Sequence, residues 1–498
     1  MTRFQETRVN ILLVYPATPS TFWSFTHVMP FISKKAAYPP LGLLTVAAML
    51  PREWNLKLVD VNVARLTDAH IDWADYVLIS GMIVHADSAR AIILRCIARL
   101  KRVIAGGPLF TTGHERFPEV RHFVLAEAEE VMPELVEDMR TGNVKQFYRS
   151  LSRPDVTRTP IPRWDLINPR HYATMSVQFS RGCPFNCDFC DIIVMNGRVP
   201  RVKTPAQMVA ELQSLADTGW NGTVFVVDDN FIGNKARVKS FLREFIDRRK
   251  QSNLQFRFLT QASLNIVDDA ELMDLMVQAG FKSLFIGIES PDEASLAECA
   301  KVQNTRRDLV AAVRTIHNAG MEVMGGFIVG FDSDQSSIFE AQKRFIQESG
   351  VVTAMVGLLT ALPETRLFAR LKEEGRILAH STGNNLDAVL NFVPKLDREV
   401  LIEGYRNLVK QLYAPKAYYR RILTFLQEYR PAGPRARLTR TDVSAFLKSL
   451  WVMGVAKRGR REYWKLLTKT LVYHRASFAE AVGLAITGFH FRKIAASI

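Results

Sequence analysis

Three cysteines within ten residues, Arg181-Gly182-Cys183-Pro184-Phe185-Asn186-Cys187-Asp188-Phe189-Cys190, constrain this chain more than any other feature. The C-x3-C-x2-C spacing lets one short loop set three thiolates around one iron–sulfur cube, and thiolate is the ligand such clusters take. A cubane has four irons, so three cysteines leave one iron open to a substrate or cofactor. A structural zinc site closes with four ligands, usually as two pairs. His171 is the one neighbouring candidate upstream, and no second pair stands close by. A disulfide framework needs a denser, even count in a small secreted chain, whereas this one has five cysteines in 498 residues. Cys96 falls on an apolar helix face and reads as core. Cys299 follows a helical stretch and reads as buried packing.

The cysteine run resembles the signature of radical S-adenosylmethionine (SAM) enzymes, including the aromatic Phe189 just before the third cysteine. The resemblance implies a [4Fe-4S] cluster on Cys183, Cys187 and Cys190. Its open iron would bind the amino and carboxylate groups of SAM. An electron from an external donor, such as flavodoxin or ferredoxin, would then yield methionine and a 5′-deoxyadenosyl radical.

Residues 1–145 read as an α/β domain. Short apolar strands are expected at Asn10–Tyr15, Leu56–Val61, Tyr76–Ser80, Arg102–Ala105 and His122–Leu125, with helical patterns between them. Strands separated by helices argue a parallel, doubly wound sheet of flavodoxin type. Ligands of such sheets bind beyond the carboxyl ends of the strands, here Pro16–Trp23, Ser80-Gly81-Met82, Gly106-Gly107-Pro108 and Ala126-Glu127-Ala128-Glu129. This half resembles the Rossmann-like cobalamin-binding domain that precedes many radical SAM cores. The match lies in the Gly-Gly-Pro after the fourth strand and the Glu-x-Glu after the fifth. It implies cobalamin contacts from Ser80, Gly81, Gly106, Gly107 and Glu127. Two departures stand out: no D-x-H-x-x-G motif supplies a histidine to cobalt, and Ala126 stands where glycine is usual. His85 is open to two readings, a cobalt ligand or a structural histidine. A Rossmann-like domain that has lost its ligand is the alternative for this half as a whole.

Residues 146–172 are polar and proline-rich and read as a linker. Residues 173–393 read as strand–helix units, with strands at Ser176–Ser180, Thr223–Val227, Gln255–Thr260, Ser283–Ile288, Glu322–Val329 and Ala354–Leu359. Thr204-Pro205-Ala206-Gln207 predicts a capping box opening a helix. A partial (β/α)6 barrel closes these units, with active groups at the carboxyl ends of its strands. The radical SAM resemblance extends there. It implies SAM contacts from Phe189, Asp228, Asp229, Ser263, Glu289 and Gly326, and Pro363-Glu364-Thr365 departs from the commoner Pro-Gly-Thr.

Residues 394–498 read as helical and basic. They carry 21 lysines and arginines against 7 acidic residues, which is nearly all of the chain's net charge of +15. Such asymmetry suggests an acidic partner. Helices flanked by Lys and Arg and bearing Trp451, Trp464 and Tyr473 fit either an anionic membrane surface or a cap on the barrel with a solvated basic face. No RNA-binding module is recognisable, so nucleic acid is not expected. No secretory signal and no apolar run long enough to span a bilayer are read. The expectation is a cytoplasmic protein, with peripheral contact to the inner membrane face.

Across nearly all 498 residues the chain resembles cobalamin-binding radical SAM enzymes with a C-terminal helical extension, a group that includes hopanoid and bacteriochlorophyll C-methylases. Two stretches carry the closest likeness: Phe22-Trp23-Ser24-Phe25 through Lys34-Lys35-Ala36-Ala37-Tyr38-Pro39-Pro40-Leu41-Gly42, and Gly106-Gly107-Pro108-Leu109-Phe110. The resemblance implies methylation of an unactivated carbon of a small hydrophobic or amphiphilic substrate, lipid or tetrapyrrole, by way of the deoxyadenosyl radical and methylcobalamin. The alternative is a radical rearrangement, cyclisation or oxidation without methyl transfer.

Overall fold

The computed structural model describes residues 8–150, 152–252, 254–384, 386–434 and 438–498. Most of the polar N-terminal stretch read for a secretory signal lies outside them. The first sheet contains β1 (Asn10–Tyr15), β2 (Asn55–Asp60), β3 (Tyr76–Ser80), β4 (Arg102–Gly106), β5 (His122–Leu125) and β6 (Phe147–Arg149). Its order is β2-β1-β3-β4-β5-β6, parallel throughout. Alternate residues feed two cores. Leu12, Val14, Val77, Ile79, Val103, Ala105, Phe123 and Leu125 pack on one face, together with the fully buried Cys96. Ile11, Leu13, Tyr76, Leu78, Ile104 and Val124 pack on the other. A strand covered on both sides is apolar at every position, which is why these runs were legible.

β6 corrects the reading of a bare linker. It pairs in parallel with β5, Tyr148 opposite Val124. Tyr148 is buried and its hydroxyl donates to Asp138 (2.6 Å). One buried position in a polar stretch leaves no alternation to read. Beyond it the chain runs through short turns, Val156–Arg158, Trp164–Leu166 and Pro169–His171.

The second sheet begins with β7 (Thr174–Val177). A small antiparallel ribbon follows, β8 (Ser180–Arg181) with β9 (Arg201–Val202). The sheet continues through β10 (Thr223–Val226), β11 (Arg257–Ala262), β12 (Phe281–Glu289), β13 (Glu322–Val329) and β14 (Ala354–Leu358). Its order is β14-β13-β12-β11-β10-β7, so β7 and β14 are edges and the barrel is partial. The N-terminal loop covers the β7 edge: Ala173 N–H donates to Ala36 O (2.9 Å) and Thr174 N–H to Ala37 O (3.0 Å). Thr204 caps the helix Pro205–Asp217 as expected, accepting from Gln207 N–H (3.1 Å). The reciprocal half of the box is not made, because the Gln207 amide reaches the carbonyls of Val156 and Thr159 (3.3 and 3.0 Å).

The C-terminal helices share one core with the barrel. Leu401, Tyr405, Ile422, Phe425 and Phe491 pack in the same cluster as Val323, Ile346 and Val356. Arg421 is fully buried among them. Its guanidinium donates to the carbonyls of Val352 (3.1 Å) and Leu412 (3.0 Å) and lies over the rings of Tyr413 and Tyr418. One of the tail's cations is therefore structural. The apolar helix Phe478–Ala495 is interior packing, and among the described residues no helix is long and apolar enough to cross a membrane.

Candidate active site

The cysteine loop is the excursion between β8 and β9, held at both ends. Gly182 sits at φ +102°, where a side chain would strike the carbonyls of Gly197, Asn196 and Val199. Cys183 N–H donates to Gly197 O (3.1 Å). The two aspartates after β10 tie the ribbon to the barrel. Fully buried Asp228 accepts from Phe179 N–H (2.7 Å) and the Ser180 hydroxyl (2.6 Å). Asp229 accepts from Gly182 N–H (2.8 Å) and the Asn196 amide (2.9 Å). Both carboxylates thus hold the loop. The Asn230 amide reaches Cys183 Sγ (3.8 Å) and Ser263 Oγ (3.1 Å). On the far side the Gln303 amide reaches Cys187 Sγ (3.8 Å). Asp188 N–H donates to Cys299 O (3.1 Å), Asp188 pairs with Arg366, and the Phe189 ring lies 6.3 Å from that of Phe331.

These residues fit an iron–sulfur cube. Among the described residues no three His, Cys, Asp or Glu side chains converge as ligands of one metal ion. A cubane takes its thiolates on separate irons, so its ligands stand further apart. Side-chain amides aimed at two sulfurs suit cluster thiolates, and Gln303 Oε1 is buried beside them without a partner. Burial pushes the Cys190 thiol up to about 12 and raises Cys183 as well.

At the end of β12, Glu289 takes φ +66°, next to a register shift between Gly287 and Glu289. Its carboxylate pairs with Lys301 Nζ (2.7 Å), both side chains being nearly out of solvent. Burial alone would push the Lys301 ammonium down, but Glu289 and Cys187 beside it hold it above its ordinary value. Asn304 donates to the carbonyls of Gly287 and Ile288 (3.0 and 3.1 Å), and buried Gln342 donates to those of Glu289 and Ile328 (3.3 and 2.6 Å), so the strained strand end is fixed. A side chain at Gly287 would strike Glu289 and Lys301, and one at Gly326 would strike the Phe285 ring. These two glycines are register partners across β12 and β13, and their missing side chains make room for the Glu289–Lys301 pair and the Phe285 ring. Farther down the strands, Trp23 stacks on Phe225 (6.2 Å, 2°) and meets Phe285 edge-on (4.9 Å), Tyr38 lies 5.4 Å from Phe225, and Phe25 is 5.6 Å from His490.

The carboxyl edge of the first sheet turns toward this loop. Glu127 pairs with Arg181 (2.6 Å) and Arg201 (2.6 Å), and Glu129 with Arg181 (2.7 Å). Tyr172 donates to buried Asp60 at the end of β2 (3.0 Å). At the same edge Gly107 (φ +85°) packs so close to Ser80 that a Cβ would stand 2.3 Å from its hydroxyl, and a Cβ on Gly106 would stand 3.1 Å from Val124 O. Gly81 lies against the His85 ring. His85 is fully buried; its Nδ1 accepts from Met82 N–H (3.0 Å), which leaves the proton on Nε2 to donate to Thr18 Oγ1 (2.9 Å). Burial lowers its pKa to about 4. A neutral ring with both nitrogens engaged has no lone pair for cobalt. The edge suits a corrin approached by backbone without a lower protein ligand. The Gln303 amide, the Lys301 ammonium and the Arg181–Arg201 pair were not singled out from sequence, whereas Asn230 stood in the Asp228-Asp229-Asn230 run expected at the strand end. The one available signal was the placement of two arginines on the strands flanking the cysteine loop, opposite a Glu-x-Glu.

Comparison with known proteins covers nearly the whole chain. Residues 32–136 match the B12 binding domain, residues 177–341 the Radical SAM superfamily, and residues 365–498 a domain of unknown function, DUF4070. An uncharacterised methyltransferase of Synechocystis sp. is 42% identical over 97% of this chain and 91% of its own length. The hopanoid C-2 methylase of Rhodopseudomonas palustris is 31% identical over 94% and 90%. The radical SAM methyltransferase TsrM of Kitasatospora setae, solved with cobalamin and a [4Fe-4S] cluster, superposes with a TM-score of 0.65 at 16% identity, covering 98% of this chain and all of that one. With a thiolate loop facing a Rossmann-like edge, and with relatives alike over nearly its full length, the chain belongs to the cobalamin-binding radical SAM enzymes and is a radical SAM C-methyltransferase that uses a [4Fe-4S] cluster, SAM and cobalamin.

Proposed function

We propose that this enzyme methylates an unactivated carbon of a hydrophobic or amphiphilic substrate. One observation carries the reading: the packed aromatic rings of Trp23, Tyr38, Phe225 and Phe285, set on or against β10 and β12, the strands whose carboxyl ends lead to Asp228 and Glu289. Rings of this kind bind bulky apolar groups and exclude water. The relative from Rhodopseudomonas palustris is named for methylation of a hopanoid, and these rings support a substrate of similar apolar character.

Bound cluster, SAM and cobalamin would supply the radical that removes hydrogen from carbon and the methyl group that replaces it. The protein's part is positioning. Cys183, Cys187 and Cys190 would hold the cluster, with the Asn230 and Gln303 amides steadying two of the sulfurs. The buried Glu289–Lys301 pair and Ser263 offer charge and hydroxyl partners to the amino acid and ribose portions of SAM. Ser80, Gly81, Gly106 and Gly107 would receive cobalamin by close backbone approach. The Arg181–Glu127 bridge keeps the two cofactor sites facing each other.

The test is anaerobic turnover with SAM, a low-potential reductant and a membrane-lipid extract. The expected result is 5′-deoxyadenosine and S-adenosylhomocysteine in step with a lipid gaining one methyl group. Deoxyadenosine without S-adenosylhomocysteine would overturn methyl transfer in favour of radical chemistry on SAM alone.

A further inference from the structure

A row of exposed apolar side chains runs along the helical layer. Val443, Leu447, Trp451 and Val455 are 51%, 58%, 66% and 50% exposed. They recur every fourth residue along the helix Arg440–Trp451 and its continuation through the π-turn Val452–Ala456, so they share one face. The opposite face is core: Ala445, Ser449 and Met453 are buried, and the Ser449 hydroxyl meets that of Tyr463 (2.7 Å). Trp464, on the next helix, donates its indole N–H to Gly454 O (3.0 Å), which sets a second exposed indole beside the row. Single exposed apolar residues are ordinary on a protein surface, whereas a continuous ladder marks a contact. Its rim is cationic. Between Leu438 and Arg475 the chain has nine lysines and arginines and two acidic residues. Lys457, Arg458, Arg460 and Arg461 crowd the turn next to Val455, all exposed.

We infer that this face docks on an anionic phospholipid bilayer, with the Val443–Val455 ladder and both indoles entering the interfacial layer and the flanking cations meeting the headgroups. An apolar ridge with an arginine- and lysine-rich border has the form of a helix lying in a membrane interface. A second copy of this chain would oppose two surfaces of the same positive sign. A nucleic acid would leave aliphatic Val443, Leu447 and Val455 without partners, since such sites use stacking rings and cations. The inference rests on the surface itself; the proposed function supplies only the reason a membrane would be useful, namely access to an apolar substrate.

Full-length, cofactor-loaded enzyme floated with vesicles provides the test. It is expected to bind phosphatidylcholine–phosphatidylglycerol vesicles, to bind pure phosphatidylcholine weakly, and to be released by salt. Lys457→Gln with Arg458→Gln should weaken binding about tenfold or more. Leu447→Ser with Trp451→Ser should do the same, with deoxyadenosine formation and melting temperature unchanged because the four side chains are solvent-facing. Absence of vesicle binding by the parent protein, or binding indifferent to both double variants, overturns the inference. A concentration-dependent dimer abolished by Leu447→Ser would reassign the face to a second copy. Absence of vesicle binding by the parent protein with methyl transfer intact refutes this surface and leaves the proposed function standing; parent vesicle binding without methyl transfer does the reverse.

Discussion

Arg181 Nη1 stands 2.6 Å from Glu127 Oε2, joining the strand that enters the cysteine loop to the loop after β5 of the other domain. The two side chains are 14% and 10% exposed. Glu129 takes the other amino group of Arg181, and Arg201 closes on Glu127, so two cations balance two anions. Burial pulls the Glu129 carboxyl upward, but Arg181 more than offsets this and holds it below the usual range. Removing one partner leaves a buried charge uncompensated, at a cost of about 3–5 kcal/mol. Arg181→Ala is therefore expected to lower unfolding stability by about 3 kcal/mol and to reduce iron bound after reconstitution. Combined with Glu127→Ala, the double-mutant cycle should show about 1–3 kcal/mol of coupling. Strictly additive losses in denaturant titrations would mean that the bridge does not join the domains.

Asp228 gives a pH signature. Burial pushes its carboxyl up to about 7, against the bonds from Ser180 and Phe179 that favour the ionised form. The same group in an unfolded chain titrates near 3.9. Between those values the folded protein keeps a proton that the unfolded chain has released, so this residue's contribution to stability falls as pH rises from about 4 to about 7. Asparagine preserves an acceptor for Phe179 N–H and a partner for the Ser180 hydroxyl without a charge. Asp228→Asn should flatten that part of the profile and exceed the parent by about 2 kcal/mol at pH 7.5. Unfolding followed at several pH values decides it, and parallel curves for the two proteins would exclude Asp228 as the titrating group.

What was legible in the sequence follows from what leaves a pattern. Both parallel sheets did, because buried strands such as β1 and β13 are apolar or glycine at every position after their first residue. The cysteine loop did, because its three thiols recur within eight residues of one another. β6 did not, since only Tyr148 of its three residues is buried. The supports of the site also left no trace. Lys301, Gln303, Asn304 and Gln342 reach it from segments beyond the strand ends, and nothing in their local sequence separates them from solvated polar residues. Asp228 and Asp229 were legible as a pair at a strand end. Their bonding to the ribbon depends on how β8 folds back over β10, which is tertiary information.

The first-domain edge can be probed at Gly107. Its φ of +85° excludes most side chains, and a Cβ would stand 2.3 Å from Ser80 Oγ. Gly107→Ala should cost about 1–2 kcal/mol from the backbone alone and should lower the cobalamin retained through gel filtration, because Ser80 must rotate away. Adding Ser80→Ala removes the collision but not the backbone strain, so stability should recover only in part. Full recovery would show that the steric contact, not the conformation, requires glycine; unchanged cobalamin content in the single variant would remove this edge from the cobalamin site.

The two places where the chain departs from the family's usual glycine, Ala126 and Glu364, share a backbone state. Their φ values are +66° and +63°, in the left-handed region. A non-glycine residue there carries about 1–2 kcal/mol of strain, partly offset because glycine makes the unfolded chain more flexible. Ala126 is kept in place by its N–H, which donates to Thr111 Oγ1 (3.0 Å), so the turn persists without glycine. Ala126→Gly and Glu364→Gly should each leave cofactor content unchanged, since the backbone already has the required shape, and each should raise stability by up to about 1 kcal/mol. Differential scanning calorimetry on the single and double variants would show additive gains, the two turns belonging to separate domains. A loss of stability at either position would mean that the alanine methyl or the glutamate side chain makes contacts worth more than the strain it imposes.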